Sequence, residues 1–316
     1  MLSGPRTAAP AAILLCALIA LLGGCATPQT TALLNARPAT LPAHVELARM
    51  PFYPQEAHQC GPAALATALT YAGARVTPDE LTNEVYLPAR KGSLAPEMLA
   101  AARRHGFIAY PLAPRLEDVL TEVAHGTPVV TLQNLSLPIW PMWHYAVVIG
   151  YDLPRDEIIL RSGTTRRLTM TLGTFEHTWA RSHDWAMVVI TPDRLPATAE
   201  EDTYVTAAAA LERENHTAAH RAYETALRRW PRNLVARIGL GNTAYATHHL
   251  AAAEAAYRRA TIDHPDSADA WNNLAQTLAD RGRHQAALKA ARRAVAIGGS
   301  RRATYEATLR GISKQR

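Results

Sequence analysis

The chain has 316 residues, with 33 Lys and Arg against 27 Asp and Glu and a formal net charge of +6. Hydrophobic residues make up 48% of it, which excludes a chain too polar to fold, and its length suits two domains of ordinary size.

The basic excess is spread along predicted helices, as at Arg228-Arg229 and Arg292-Arg293, and we interpret these positions as solvated helix faces. Because no nucleic-acid module signature is present, we expect no nucleic-acid partner.

Residues 1–24 have the composition of a secretion signal. Arg6 is their only charge, and the apolar run Ala11–Leu22 is too short to span a bilayer comfortably. The run ends in Leu-Gly-Gly-Cys at residues 22–25, which resembles the bacterial lipobox, whose cysteine is lipidated and becomes the first mature residue. The resemblance implies a lipid anchor on Cys25, and Ala26 after it implies sorting to the outer membrane, facing the periplasm. The alternative is an ordinary signal peptide cleaved near Ala26.

Cysteine usage singles out Cys60. Cys16 would leave with the signal and Cys25 would be acylated, so Cys60 has no partner for an intrachain disulfide in an oxidising compartment. Pro62 suits the first turn of a helix, which predicts that Cys60 lies at a helix N-terminus. There the helix dipole and free amides favour thiolate over thiol. The alternative is a buried apolar cysteine without a chemical role.

The chain divides by composition into an N-terminal mixed region and a C-terminal helical region. Residues 25–47 are rich in Ala, Thr and Pro and are predicted to be a flexible tether. Residues 48–190 form a predicted domain of helices followed by an antiparallel sheet, an α+β order, and residues 191–199 a Pro-containing linker. The predicted helices are Gly61–Tyr71, one started by Thr77 as cap, Ala95–His105, Leu116–Ala124 and a short one over Thr174–Trp179. The predicted strands are Ile108–Leu112, Pro128–Leu132, His144–Tyr151, Glu157–Arg161, Arg166–Thr171 and Trp185–Ile190.

Residues 200–316 repeat with a period of 34 residues. Three sets of positions keep this register: Ala219, Ala253 and Ala287; Tyr223, Tyr257 and Ala291; and Ala207, Gly241 and Ala275. Small residues recur where paired helices approach closely. The pattern resembles the tetratricopeptide repeat, with about three repeats at 200–233, 234–267 and 268–301 and a capping helix after them. The resemblance implies an all-α helical-repeat domain that binds a protein partner; the alternative is an unrelated Ala-rich bundle.

A nucleophilic thiol needs a base that takes its proton and returns it to the leaving group, and histidine is the usual choice. His144 is the strongest candidate, because it is the first residue of a predicted apolar strand. A hairpin near Pro154 then returns the chain along residues 157–164, which places the end of that segment opposite His144. The other histidines of the first domain have simpler readings: His58 shares the loop of Cys60, His105 and His125 lie at helix ends, and His177 and His183 lie on or near the late helix. Trp140, Trp143, Trp179 and Trp185 could line a peptide cleft or fill the core.

The pair of segments Gln55-x4-Cys60-Gly61-Pro62-Ala63 and His144–Tyr151 resembles the double-glycine leader (bacteriocin-processing) peptidases, which are papain-like cysteine peptidases. The resemblance covers about residues 48–190. It implies Cys60 as nucleophile, His144 as general base and then acid, and Gln55 as an oxyanion donor with the Cys60 backbone N–H. The glutamine spacing is one residue shorter than in many such enzymes, so Gln59 remains a rival. Where those enzymes carry Asp-Pro, this chain has Ser162, a neutral residue in the orienting position.

These features predict an α+β papain-like cysteine peptidase domain followed by a tetratricopeptide-repeat domain, exported and anchored in the bacterial envelope. The expected partners are a peptide or protein substrate, a protein bound by the repeats, and the membrane through Cys25. No zinc-binding, paired-cysteine or serine-hydrolase motif is present, and we expect no cofactor. Two alternatives stay open: an inactive peptidase fold that serves as a binding scaffold, and a related Cys-His hydrolase of cell-wall peptide, amide or acyl bonds.

Overall fold

The computed structural model describes residues 27–55 and 59–314. The signal segment and the proposed anchor at Cys25 therefore lie outside the described residues, as does His58. Helices α1 to α6 of the first domain span Pro28–Asn35, Cys60–Tyr71, Pro78–Val85, Ala95–Arg104, Leu116–Ala124 and Leu172–Ala180. Strands β1 to β9 span His44–Glu46, Tyr86–Leu87, Gly92–Ser93, Ile108–Pro111, Val129–Asn134, Trp143–Asp152, Glu157–Ser162, Thr165–Thr171 and Ala186–Ile190.

Seven of these strands form one antiparallel sheet in the order β4-β9-β5-β6-β7-β8, with β1 added to the far end of β6. The strands β2 and β3 form a separate short hairpin. The predicted helices and the six predicted strands are present, with ends that differ by one or two residues. The α3 start is the capping box that the sequence indicates, because Thr77 and Glu80 each bond the other's backbone amide. The α+β prediction is confirmed.

The central sheet separates two apolar cores. One core packs α2 and α4 against one face, around Leu65, Leu69 and Met98. The other packs α5 and α6 against the opposite face and continues into the helical region. Strand β6 is buried along almost its whole length because both faces are covered, which explains its run of apolar residues.

The prediction that residues 25–47 form a flexible tether is wrong for residues 27–47. These residues form α1 and β1, and Leu33 and Leu41 are buried in the second core. The first amides of α1 have a partner on the domain, because the backbone N–H groups of Gln29 and Thr30 donate to the buried Glu176 carboxylate at 3.0 and 2.7 Å. A carboxylate at a helix N-terminus satisfies unpaired amides and opposes the helix dipole. The composition resembles a linker, but two buried leucines and this cap hold the segment in place.

The helical region consists of α7 to α13, at Glu201–Glu212, His216–Arg229, Leu234–Ala246, Leu250–Asp263, Ala268–Asp280, His284–Ile297 and Arg302–Lys314. These are three helix pairs and a capping helix, as the period predicts. The small residue at Gly241 is required by packing, because a Cβ there would lie 2.4 Å from the ring of Tyr257. None of the helices in residues 27–55 and 59–314 is long and apolar enough to cross a membrane.

The connector between the two regions is held by the first domain. The Tyr110 hydroxyl donates to the carbonyl of Thr198 and accepts from the amide of Glu200. The buried Glu122 carboxylate accepts from both the amide and the hydroxyl of Thr198, at 2.8 and 2.7 Å. Because Tyr204 and Leu211 of α7 also belong to the second core, the first repeat is packed on the sheet domain.

Candidate active site

Cys60 is the first residue of α2, as Pro62 predicts. The start of this helix is packed tightly, since a Cβ at Gly61 would lie 2.3 Å from the Ser93 hydroxyl oxygen of the short hairpin. Glycine therefore lets β3 approach the nucleophile end of the helix. Gln59 caps this end through its backbone only and makes no side-chain cap bond.

His144 is the second residue of β6, and its Nε2 lies 2.8 Å from the Ser162 hydroxyl oxygen. The contact follows from the hairpin register, in which Val147 faces Arg161 and the next residue of β7 reaches towards the start of β6. Asp152 lies at the other end of β6, where it pairs with His44 at 3.4 Å. As the sequence predicts, Ser162 and not Asp152 holds the imidazole.

Gln55 is held by two hydrogen bonds to Gly163, in the turn between β7 and β8. Its Oε1 accepts the Gly163 amide at 3.1 Å, and its own backbone amide donates to the Gly163 carbonyl at 3.1 Å. Its Nε2 makes only a long contact of 3.5 Å with the Tyr145 carbonyl. Gln55 lines the cavity described next, and Gln59 does not. An amide group clamped through its oxygen keeps N–H capacity for a ligand, which is what an oxyanion donor requires.

Cys60, His144 and Gln55 line one cavity of about 920 Å³. Two further segments line it: Arg90 to Ser93, which runs from the turn after β2 into β3, and Pro141, Met142 and Trp143 at the start of β6. A cleft of this size with polar and apolar lining suits an extended peptide segment. Among residues 27–55 and 59–314, no group of three or more His, Cys, Asp or Glu side chains is arranged to hold a metal ion.

Burial decides the protonation state of the thiol. Desolvation raises the pKa of Cys60, although hydrogen bonds from the backbone amides of Tyr145, Gly61 and Cys60 act in the opposite direction. Desolvation also lowers the pKa of His144. The helix-end amides favour the thiolate, as the sequence predicts, but burial outweighs them and raises the pKa of the Cys60 thiol. In the ligand-free protein, burial thus favours the neutral form of both the thiol and the imidazole.

These opposed shifts predict how fast Cys60 reacts with iodoacetamide as pH changes. We expect slow alkylation at pH 7 and a rate that rises as pH passes the ordinary thiol pKa of 9.0, since only the thiolate reacts. His144→Ala should leave the rising limb in place, because no imidazolium holds the thiolate. A rate plateau already reached below pH 7, lost in His144→Ala, would show an ion pair and contradict this prediction.

The structure places the remaining histidines and tryptophans as follows. His183 lines the cavity, His105 pairs with Glu84 at 2.9 Å, and His125 bonds the Thr121 carbonyl at the end of α5. Trp143 lines the cleft and Trp140 is exposed beside it, whereas Trp179 is fully buried in the core.

Sequence reasoning missed the basic turn at Arg90 and Lys91. Its only signal was Pro-Ala-Arg-Lys-Gly at residues 88–92, a turn pattern that does not say which side chains reach the cleft.

Comparison with known proteins agrees with this layout. Residues 48–187 match the model of the Peptidase_C39 like family, and residues 204–247 and 238–301 match a tetratricopeptide repeat model. No curated protein gives a significant match to the chain.

Solved structures match one region of the chain or the other. A C39-like peptidase of Bacillus anthracis is 20% identical, with a TM-score of 0.40, over 46% of this chain and 97% of that one. The peptidase domain of Streptococcus ComA, a bi-functional ABC transporter, is 19% identical, with a TM-score of 0.36, over 43% of this chain and 95% of that one. The Sgt2 TPR domain of Aspergillus fumigatus is 22% identical, with a TM-score of 0.34, over 37% of this chain and 80% of that one. On the family models, this chain joins a domain of the C39-like peptidase family, at residues 48–187, to a C-terminal array of tetratricopeptide repeats.

Proposed function

We propose that the protein is an envelope-anchored cysteine peptidase, with Cys60 as nucleophile and His144 as general base and then acid. The observation that carries the proposal is the single cavity lined by Cys60, His144 and Gln55, with His144 bonded to Ser162. The lipid anchor on Cys25 and an outer-membrane location facing the periplasm belong to the same proposal and rest on the sequence pattern.

The residues suggest the following sequence of steps. His144 takes the thiol proton as sulfur forms a bond to the scissile carbonyl carbon, because the resting thiol is neutral. The oxyanion receives hydrogen bonds from Gln55 Nε2 and the Cys60 amide, and a donor of this kind contributes about 3–4 kcal/mol. The protonated imidazole then gives its proton to the leaving amine. Water activated by the same histidine hydrolyses the thioester and restores the thiol.

The test is covalent labelling by a peptidyl electrophile that reacts with cysteine peptidases. We expect wild-type protein to be labelled at Cys60, Cys60→Ala to lose this labelling entirely because the reacting sulfur is gone, and His144→Ala to lose at least about 100-fold in labelling rate, the range of general-base contributions. His125→Ala, a histidine at a helix end outside the cavity, is the matched control and should label normally. Labelling that is absent, or that persists unchanged in His144→Ala, would sink the peptidase proposal.

A second candidate function is a binding scaffold in which the peptidase fold is catalytically inactive. One specific observation favours it: the partner of His144 is Ser162, which is neutral and stabilises an imidazolium less than a carboxylate would. On this hypothesis Cys60→Ala retains full cellular function, while changes on the repeats abolish it. The repeats, in either case, are proposed to recruit a protein partner or substrate. Product analysis on peptidoglycan and on peptides distinguishes a cell-wall hydrolase from a peptidase.

A further inference from the structure

One segment beside the cleft holds most of the large exposed apolar side chains of the described residues. The apolar loop, Leu135–Trp143, runs from the end of β5 to the first residue of β6 and contains no charged residue. Of the ten large hydrophobic side chains exposed among the described residues, six belong to this loop. Ile139 and Trp140 at its tip are 79% and 76% exposed. A patch of this kind marks an interaction surface.

The exposure of the apolar loop is fixed by hydrogen bonds at its base. The buried Asn134 side chain accepts the amides of Ser136 and Met142 at 3.0 and 2.9 Å. The Leu135 amide also donates to the Met142 carbonyl at 2.9 Å. Because both ends of the loop are bonded together, its apolar tip is held in the solvent.

A peptide bound in the cleft would not cover this tip. Pro141, Met142 and Trp143 line the cavity, whereas Ile139 and Trp140 do not. The cleft therefore accounts for one side of the apolar loop, and the tip needs a different occupant.

The position of the loop suggests which occupant this is. Arg181, the first residue after α6, donates to the carbonyls of Asn134 and Ser136 at the loop base. Thr27 packs against Gly173 in the first turn of the same helix. Eight residues of helix separate Gly173 from Arg181, about 12 Å along the axis. The proposed lipid anchor, two residues before Thr27, would thus hold a membrane within reach of the loop.

The positively charged side chains near the apolar loop also favour a membrane as its partner. Arg181 at the loop base is exposed, and so are Arg90 and Lys91, which line the same cavity as Pro141, Met142 and Trp143. Tryptophan with aliphatic side chains, flanked by cations, is the composition that binds the interface of anionic membranes.

We infer that the apolar loop inserts its tip into the lipid–water interface, so that the cleft opens at the membrane surface and receives peptide segments that lie close to lipid. The inference rests on the proposed function for the anchor and for the cleft. The insertion itself is a property of the loop and can be measured without either.

The experiment uses the chain from Ala26 to Arg316, which carries no lipid and retains every described residue, with Cys60→Ala throughout so that catalysis does not enter. We expect it to co-sediment with vesicles of phosphatidylethanolamine and phosphatidylglycerol, and Ile139→Ser with Trp140→Ser to weaken partitioning about tenfold or more. Brominated lipid should quench wild-type fluorescence more strongly than that of Trp140→Phe, which keeps the apolar surface and still partitions. Replacing phosphatidylglycerol by phosphatidylcholine should weaken binding, since the basic side chains lose their anionic partners.

The matched control carries Val235→Ser and Ile262→Ser, which remove exposed apolar side chains of the repeats that are 56% and 64% exposed. It should partition as wild type does. Failure of wild type to partition, or equal partitioning of the loop variant, would overturn the inference whatever the labelling test of Cys60 shows. So would a loop variant that binds vesicles normally but loses affinity for peptide, because the loop would then be a substrate surface.

Discussion

If the proposed peptidase function holds, Ser162→Asp is expected to raise the kcat/KM of peptide cleavage by about 10- to 100-fold. An opposite charge within hydrogen-bonding distance shifts a pKa by about 1–3 units, so a carboxylate here would reverse the depression of the His144 pKa that burial causes. A better base takes the thiol proton more readily, and the imidazolium that forms is stabilised by the charge beside it. Initial rates on a peptide substrate, with the pH profile, measure the effect.

A second reason for the gain is the tautomer of His144. The Ser162 hydroxyl can donate to Nε2 or accept from it, so it does not fix which ring nitrogen carries the proton. A carboxylate only accepts, so it holds the proton on Nε2 and leaves Nδ1 free as the base. The expected profile is therefore a rate increase with the acid limb moved to higher pH, because the imidazole now titrates at a higher pKa.

Ser162→Asn is the matched control, because it reaches as far as aspartate but carries no charge. We expect it to remain near wild type, and Ser162→Ala to fall below it, since alanine leaves the imidazole without a partner. Equal rates in the aspartate and asparagine variants would show that charge at this position does not limit the cleavage rate.

Removing the Glu254 carboxylate is expected to cost about 3 kcal/mol of the free energy of unfolding. Glu254 is 2% exposed on α10 and bonds Arg258 of the same helix and Arg281 and Arg283 between α11 and α12. Breaking a buried ion pair by removing one partner costs about 3–5 kcal/mol. The lower end applies to Glu254→Ala, because the arginines are a third to a half exposed and regain water.

The same group predicts acid sensitivity of the repeats. Burial raises the pKa of Glu254, but the hydrogen bond from Arg258 and the charges of the three arginines outweigh it, so the pKa lies below its ordinary value of 4.5. A carboxyl group whose pKa is lower in the folded protein than in the unfolded chain stabilises the fold at any pH above its pKa in the unfolded chain. This contribution is lost as the pH falls from that value through the pKa of the folded protein. The stability difference between wild type and Glu254→Ala should therefore be full at pH 7 and shrink below pH 4.5.

Urea unfolding followed by circular dichroism measures both effects. The control is Glu306→Ala, which removes the carboxylate that pairs with Arg302 on the surface of α13 and should cost less than about 1 kcal/mol. A loss in Glu254→Ala no larger than in this control would mean that the three arginines do not depend on the carboxylate.

Some parts of the site could be predicted from the sequence, and others could not. The position of Cys60 follows from Pro62 one turn into a helix, and the contact of His144 with Ser162 follows from counting along a hairpin. The docking of residues 27–47 could not be predicted, because it depends on Glu176, far along the chain. The cleft is likewise lined by segments around residues 90 and 142, which are far apart in the chain, and the sequence pattern does not show that they meet.

What the sequence alone determined is the local and periodic part: the helix start at Cys60, the hairpin that follows His144, and the 34-residue repeat with small residues at close helix contacts. These follow from backbone capping, the two-residue period of strands and the 3.6-residue period of helices. The tertiary structure decided the protonation state of Cys60 and the exposure of the apolar loop. Both depend on how much water reaches a group, and that is set by segments distant in the chain.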